Sequence, residues 1–126
     1  MEIVSSIGKL KLENGIIYGE YFPNTVITLD LAKKAVQDRY TLTKGTSYPV
    51  LADVINLKFV EDDAREYLSS DEACKFVTAL AVVTDKPISN LFANVYLKWN
   101  RPPVPTKLFT NKEKAIRWLK LFTQLN

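Results

Sequence analysis

The residue pair Asn14-Gly15 is the feature that most narrows what this chain can fold into. Both residues tolerate positive φ, which a type I′ turn requires at its two central positions. Apolar and lysine residues alternate before the pair, in Ile7–Glu13, and β-branched and aromatic residues follow it, in Ile16–Phe22. The sequence therefore predicts an N-terminal β-hairpin.

Apolar residues at helical spacing recur after the hairpin. They predict a helix over Leu29–Thr43, which Gly45 would end, and another over Ile88–Trp99. Two capping-box patterns add further helix starts, one at Ser69 with Glu72 before Cys74 and one at Thr110 with Glu113 before the last helix. A third start comes from the carboxylates of Glu61, Asp62 and Asp63, which suit the positive end of a helix dipole.

Strand-like segments alternate with these helices. Tyr48–Val54 and Lys107–Phe109 are predicted strands, and Val77–Thr84 is apolar at nearly every position, as in a central strand that is covered on both faces. No repeat or linker divides the 126 residues, which is about the length of one domain. We therefore expect a single α/β domain over residues 1–126 with a mixed sheet.

Composition excludes several classes of chemistry. The chain has no histidine and one cysteine, Cys74. Ser-His and Cys-His catalysis and imidazole metal sites are therefore excluded, and one cysteine forms neither an intramolecular disulfide nor an all-cysteine zinc site. We expect no cofactor and no metal, and a structural thiol at Cys74.

Charge and hydropathy bear on partners and location. The net charge of +3 is too small to indicate a nucleic-acid partner. Seven basic residues and one acidic residue lie from Lys98 onward, so this end could attract an anionic surface, although a solvated terminal helix is the simpler interpretation. Met1–Ser6 does not resemble a signal peptide, and no apolar run approaches the ~20 residues of a membrane span. We expect a cytoplasmic protein without a transmembrane segment.

The stretch Leu51–Leu68, with the sequence LADVINLKFVEDDAREYL, resembles the signature of the STAS superfamily of anti-sigma-factor antagonists. In that family a buried strand ends in an Asp, an apolar-x-Phe loop follows, and an Asp-Ser-Ser-Gly helix start carries a regulatory phosphorylation site. The Asn-Gly hairpin and the Pro-Val-Pro-Thr-Lys-Leu-Phe-Thr stretch are similar to those of small, uncharacterised bacterial SpoIIAA-like proteins. The resemblance covers most of residues 7–125. It implies a SpoIIAA-like fold, with an N-terminal hairpin and a mixed sheet of about five strands covered by helices.

This resemblance carries over residue by residue. Asp53 matches the Asp at the strand end, and Phe59 matches the aromatic residue of the loop. Glu61, Asp62 and Asp63 occupy the Asp-Ser-Ser positions, so no hydroxyl remains where the kinase of the family would act. A carboxylate carries part of the charge of a phosphoserine but cannot be switched. The resemblance therefore implies a constitutive binding surface.

The leading hypothesis is a non-enzymatic STAS-like interaction and regulatory domain, which forms a homodimer or docks to a protein partner. One predicted recognition surface runs from Asp53 to Arg65 and includes the residues just named. The second is the helix face that bears Phe92, Tyr96 and Trp99.

Two rival hypotheses belong to other classes. The first is a carrier or sensor of a small apolar or anionic ligand such as a lipid, in which the aromatic helix and the basic C-terminal end form a pocket and its mouth. The second is an enzyme that works with carboxylate, tyrosine or lysine chemistry. It would need a pocket that holds Asp53 beside Tyr48 or Lys58.

Overall fold

A computed structural model describes residues 1–85 and 102–123. The elements in this part of the chain are β1 (Glu2–Val4), β2 (Gly8–Glu13), β3 (Ile16–Tyr21), β4 (Thr25–Ile27), α1 (Leu29–Thr43), β5 (Tyr48–Asp53), β6 (Leu57–Val60), α2 (Asp62–Leu68), β7 (Val77–Val83), β8 (Thr106–Phe109), α3 (Lys112–Leu119) and a 3-10 helix (Lys120–Phe122). The helix predicted over Ile88–Trp99 lies outside the described residues.

The main sheet is mixed and has the order β1-β2-β3-β5-β7-β8. The first three strands are antiparallel, whereas β3, β5, β7 and β8 run parallel. The two remaining described strands, β4 and β6, form a separate parallel ribbon. The α/β class and the mixed sheet with helical cover are confirmed. The sheet has six strands instead of about five because Glu2–Val4 adds an edge strand to the hairpin.

The predicted hairpin is confirmed in detail. Asn14 and Gly15 have φ values of 53° and 78°, as a type I′ turn requires. Glu13 and Ile16 face each other as the last pair before the turn. The local sequence alone therefore sets the register of β2 against β3.

Helix α1 has the predicted bounds. Thr28 caps its start, since the Thr28 Oγ1 accepts a hydrogen bond from the Leu31 N–H at 3.3 Å. Its last turn ends at Lys44, whose φ is 49° and whose N–H donates to the Tyr40 carbonyl oxygen at 3.1 Å. This left-handed cap lies one residue before Gly45, which also has a positive φ.

Both capping-box predictions are wrong in their details. Residues 71–76 form turns instead of a helix. Side chains of α1 take the carbonyl oxygens of this segment: Arg39 binds those of Ala73 and Lys75, and Tyr40 binds that of Glu72. The carbonyl oxygens of residues 72, 73 and 75 therefore accept hydrogen bonds from side chains of α1, and the segment that contains them forms turns.

Helix α3 is capped by Asn111 instead of Thr110. The Asn111 Oδ1 accepts a hydrogen bond from the Lys114 N–H at 3.0 Å. Asn is at least as good an N-cap as Thr, and it is the residue whose extended backbone directly precedes the helix. The helix itself is confirmed, because its apolar spacing does not depend on the cap.

One face of the main sheet packs against α3. Ile16, Leu51 and Ala81 of the sheet are buried there with Ala115 and Leu119 of the helix. Small alanines at the contact let the helix backbone approach the strands closely. A second core forms where the β4–β6 ribbon packs its inner face against α1 and α2.

A substitution at Gly8, in β2 of the hairpin, tests the pairing of β2 with β3. A Cβ atom at this position would overlap the Glu20 carbonyl oxygen on the facing strand. We expect Gly8→Ala to lower the free energy of unfolding by about 1–3 kcal/mol or more, as backbone overpacking does. Gly19→Ala is the matched control on the adjacent strand, because its Cβ would lie 3.3 Å from the flexible Cδ2 of Leu10 and at an ordinary contact distance of 3.9 Å from the Leu51 carbonyl oxygen. Equal stability of the two variants in urea unfolding would contradict the pairing of β2 with β3.

Candidate ligand cavity

A cavity of about 600 Å³ lies on one face of the main sheet. Val50 of β5 and Leu80 and Val82 of β7 line it. Along both strands these residues alternate with those that pack against α3. Because successive side chains of a strand point to opposite faces, the cavity lies on the face opposite α3.

Helix α1 and the β6–α2 region form the other walls. Ala35 and Val36 contribute from α1, and Leu57 and Leu68 contribute from the β6–α2 region. The described lining is mainly aliphatic, as in most small-molecule sites. An apolar ligand is therefore the kind of molecule that these walls fit.

Every charged residue in the described lining is basic. These residues are Arg39, Lys58 and Arg65, and no acidic residue in this part of the chain lines the cavity. Lys58 is exposed, and Arg65 pairs with Asp62 through a 2.6 Å contact. Arg39 has a different environment.

The Arg39 side chain ties α1 to the turns before β7. Its Nη2 donates to the carbonyl oxygens of Ala73 at 2.5 Å and of Lys75 at 3.0 Å. Its Nε is buried and has no hydrogen-bond partner among the described residues. The guanidinium also lies 5.5 Å from the centre of the Tyr40 ring. These described neighbours therefore supply backbone dipoles and an aromatic ring, but no counter-charge.

Burial lowers the pKa of the Arg39 guanidinium, because desolvation disfavours the charged form. It raises the pKa of the Tyr21 hydroxyl for the same reason, since there the charged form is the anion. Both residues line the cavity. Both shifts indicate that water has limited access to these two side chains, so an unpaired charge at either position is poorly solvated.

Cys74, the single cysteine, also lines the cavity. Its Sγ donates a weak hydrogen bond to the Leu68 carbonyl oxygen at 3.6 Å. Burial raises the pKa of the thiol, and the nearby Arg39 opposes that rise. Cys74 is therefore partly buried, with a thiol that is less ionised than a free one, as the structural role expected from the sequence requires.

The residues of the recognition surface predicted from Asp53 to Arg65 do not all lie at one site. Phe59 and Arg65 line the cavity, whereas the four carboxylates at Asp53 and Glu61 to Asp63 do not. The Asp53 Oδ1 accepts a hydrogen bond from the Ile55 N–H at 3.1 Å, a contact within its own loop. In the same stretch, the Asp63 Oδ1 accepts from the Ala64 N–H at 2.8 Å.

Phe59 also belongs to an exposed apolar pair. It faces Val26 across the β4–β6 ribbon, and the two residues are 48% and 36% exposed. We call this pair the ribbon patch. Glu61, Asp62 and Asp63 follow directly along the chain and are all exposed. An apolar pair beside carboxylates is the kind of surface that a protein partner can recognise.

The second predicted surface, formed by Phe92, Tyr96 and Trp99, lies outside the described residues. The pocket that the enzyme hypothesis requires is not formed by the described lining. Lys58 lines the cavity, but Asp53 and Tyr48 do not.

Sequence reasoning missed Arg39, although a signal for it exists. Arg39 lies seven residues after Ala32 and three after Val36, so it falls on the apolar stripe of α1. A charged residue on a buried helix face has to meet a polar partner inside the fold. The position of Arg39 on this stripe therefore indicates, from sequence alone, that its side chain binds a polar group.

Metal-binding clusters and membrane-spanning helices are both missing from the described part of the chain. Within residues 1–85 and 102–123, no group of three or more His, Cys, Asp or Glu side chains is placed to hold a metal ion. No helix in these two ranges has the length and apolar character needed to cross a membrane.

The architecture is that of the SpoIIAA-like fold. The structure is similar to that of an uncharacterised protein of the DUF3478 family with a SpoIIAA-like fold, from Shewanella loihica PV-4. The two are 14% identical, the match covers 90% of this chain and 92% of that chain, and the TM-score is 0.60. At this identity the likeness concerns the fold alone, and it confirms the fold that the sequence resemblance implied.

The chain belongs to the family described as a domain of unknown function, DUF7793, whose model matches residues 10–123. A protein of unknown function from Arthrobacter sp. FB24 is 25% identical, with 89% of this chain and 98% of that chain covered. Its TM-score is 0.34, so it carries no argument about the fold. No curated protein matches the chain.

Cys74 provides a direct test of the cavity environment. We expect it to react with a neutral alkylating reagent severalfold more slowly than glutathione at the same pH, because burial restricts access and raises the thiol pKa. The rate can be followed by mass spectrometry. The urea-unfolded protein is the control and should react like a free thiol. A native protein that reacts as fast as glutathione would contradict the placement of Cys74 in the wall.

Proposed function

We propose that this protein is a non-enzymatic binding module whose cavity holds a small apolar ligand, as a carrier or a sensor does. The observation that carries the proposal is the cavity of about 600 Å³ with mainly aliphatic walls. Ligand sites in proteins typically have volumes of about 300–1,000 Å³ and are lined by apolar side chains with a few polar groups. Tyr21, Arg39 and Thr84 are polar groups of that kind here.

The non-enzymatic part of the proposal rests on composition. The chain has no histidine, which is the commonest general base near neutral pH. The acidic residues singled out in the sequence, Asp53 and Glu61 to Asp63, do not line the cavity. A bound molecule would therefore meet cations and apolar walls, which suit binding more than acid-base chemistry.

A cavity-filling variant tests this proposal. Ala52 lines the cavity from the C-terminal half of β5, so Ala52→Phe should occupy part of its volume. We expect the wild-type protein to bind Nile red, a neutral apolar dye, with a rise in fluorescence, and the variant to lose that rise. Native mass spectrometry of the purified protein should also detect an apolar ligand that co-purifies.

Thr41→Phe is the matched control, because Thr41 is exposed on α1 and does not line the cavity. It should bind the dye like the wild type. A wild-type protein that binds no dye, or an Ala52→Phe variant that binds it unchanged while folded, would overturn the proposal.

Protein interaction is a second candidate, and the ribbon patch favours it. We propose that the patch mediates self-association, because its two apolar side chains remain exposed next to each other on the ribbon. With carboxylates at 61–63 in place of hydroxyl residues, such a contact would be constitutive. The two candidate functions share Phe59, which lines the cavity and belongs to the ribbon patch, whereas Val26 belongs to the patch alone.

Val26→Asp tests the second candidate at a residue that does not itself line the cavity. Val26 does not line the cavity, and an added carboxylate beside Phe59 should remove the apolar contact. We expect the wild-type protein to form a dimer at high concentration in size-exclusion chromatography with light scattering, and the variant to be monomeric. Leu121→Asp is the control, since Leu121 is 73% exposed on the 3-10 helix after α3. A wild-type protein that stays monomeric at high concentration would contradict self-association.

A further inference from the structure

Arg39 is a partly buried cation that no side-chain carboxylate neutralises, and its Nε atom is fully buried. All 14 acidic residues of the chain lie within residues 1–85 and 102–123, and none of them forms an ion pair with Arg39. Residues 86–101 contain no Asp or Glu, so they hold no side-chain counter-charge either. Within this protein, the missing partner of Arg39 is therefore not a carboxylate side chain.

A partly buried guanidinium without a counter-charge raises the free energy of the folded protein unless another group compensates the lost hydration. Removing a charge from water is unfavourable, and buried charges in proteins are normally paired. A guanidinium carries five N–H donors. In Arg39, Nη2 bonds two carbonyl oxygens, while the buried Nε has no acceptor in the described part of the chain. Because Nε has no accessible surface, Nη1 is the nitrogen left to bind an anion in the apolar cavity that Arg39 lines, and it forms no hydrogen bond with the described residues.

We infer that the cavity selects amphipathic acids, in which an apolar tail lies along the sheet and a carboxylate pairs with the Arg39 guanidinium. The inference rests on the proposed ligand-binding function and names the chemical class of the ligand. Arg and carboxylate groups match in charge and geometry, and their hydrogen bonds are among the stronger ones in proteins. The absence of acidic residues from the described lining means that no neighbouring charge there would repel the anion.

The other two cations are less suited to this role. Arg65 is already paired with Asp62 at 2.6 Å. Lys58 is exposed, where an ion pair is screened by water and contributes little. The apolar surroundings of Arg39 strengthen its pairing with an anion, because the effective dielectric constant is lower there. We therefore assign discrimination between acid and neutral ligands to Arg39.

The test compares two ligands that differ only in the head group. Dodecanoic acid and dodecan-1-ol are each titrated as competitors of Nile red for the wild-type protein at about pH 8, where the free acid is ionised. We expect the acid to bind about tenfold more tightly or better, since one hydrogen-bonded charge pair gives that factor. Arg39→Met should weaken acid binding by the same factor and leave the alcohol unchanged. Arg117→Met, an exposed change on α3, should alter neither.

Each outcome has a distinct meaning. If acid and alcohol bind the wild type equally, the inference is overturned and the proposed function stands. If neither displaces the dye and the dye itself does not bind, the proposed function falls as well. If Lys58→Gln instead of Arg39→Met removes the preference, the assignment to Arg39 is wrong. Should Arg39→Met unfold, the wild-type acid-to-alcohol ratio and the Arg39→Lys variant still decide the question.

Discussion

The parallel pairing of β5 with β3 and β7 is the contact on which the rest of this structure depends. Parallel strands in α/β proteins carry apolar side chains on both faces, and both faces need cover. On one face α3 provides it, with Ala115 and Leu119 against the strands. On the other face α1 and the β6–α2 region cover the sheet beside a cavity of about 600 Å³. The candidate site is therefore a consequence of how the second face is covered.

The same pairing explains the position of Arg39. Helix α1 connects the β3 side of the sheet to β5, and it lies beside the turns that lead into β7. The side chains of Arg39 and Tyr40 stabilise those turns by donating hydrogen bonds to the carbonyl oxygens of residues 72, 73 and 75. These hydrogen bonds give a charged residue polar partners on the side of α1 that faces the fold. They leave the charge itself without a carboxylate side chain to neutralise it, which is the basis for assigning an acidic ligand to the cavity.

Local sequence predicted the elements that depend on local physics. The Asn14-Gly15 turn and the bounds of α1 follow from backbone conformation and apolar spacing, which are properties of a few neighbouring residues. The sequence predicted a helix instead of turns at residues 71–76 because the side chains that bind this segment come from α1, more than thirty residues earlier. It predicted a loop at β6 because the partner of that strand, β4, is a distant three-residue segment.

The candidate site was harder to predict than the fold. The carboxylates at Asp53 and Glu61 to Asp63 are conspicuous in the sequence, but the structure turns two of them to local hydrogen bonds and places none of them in the cavity. A cavity depends on the volume left between packed elements, which no local pattern encodes. Arg39 could have been selected from its place on the apolar stripe of α1. That Arg39 has no carboxylate partner could be recognised only from the three-dimensional positions of all the acidic side chains.

The decisive measurement is a crystal structure of the protein with dodecanoic acid. We expect its carboxylate at about 3 Å from the Arg39 guanidinium, which is hydrogen-bonding distance for such a pair. The tail should lie against Val50 and Leu80 in the cavity. Electron density for the acid elsewhere on the surface, or a cavity filled by the protein's own side chains, would contradict the account.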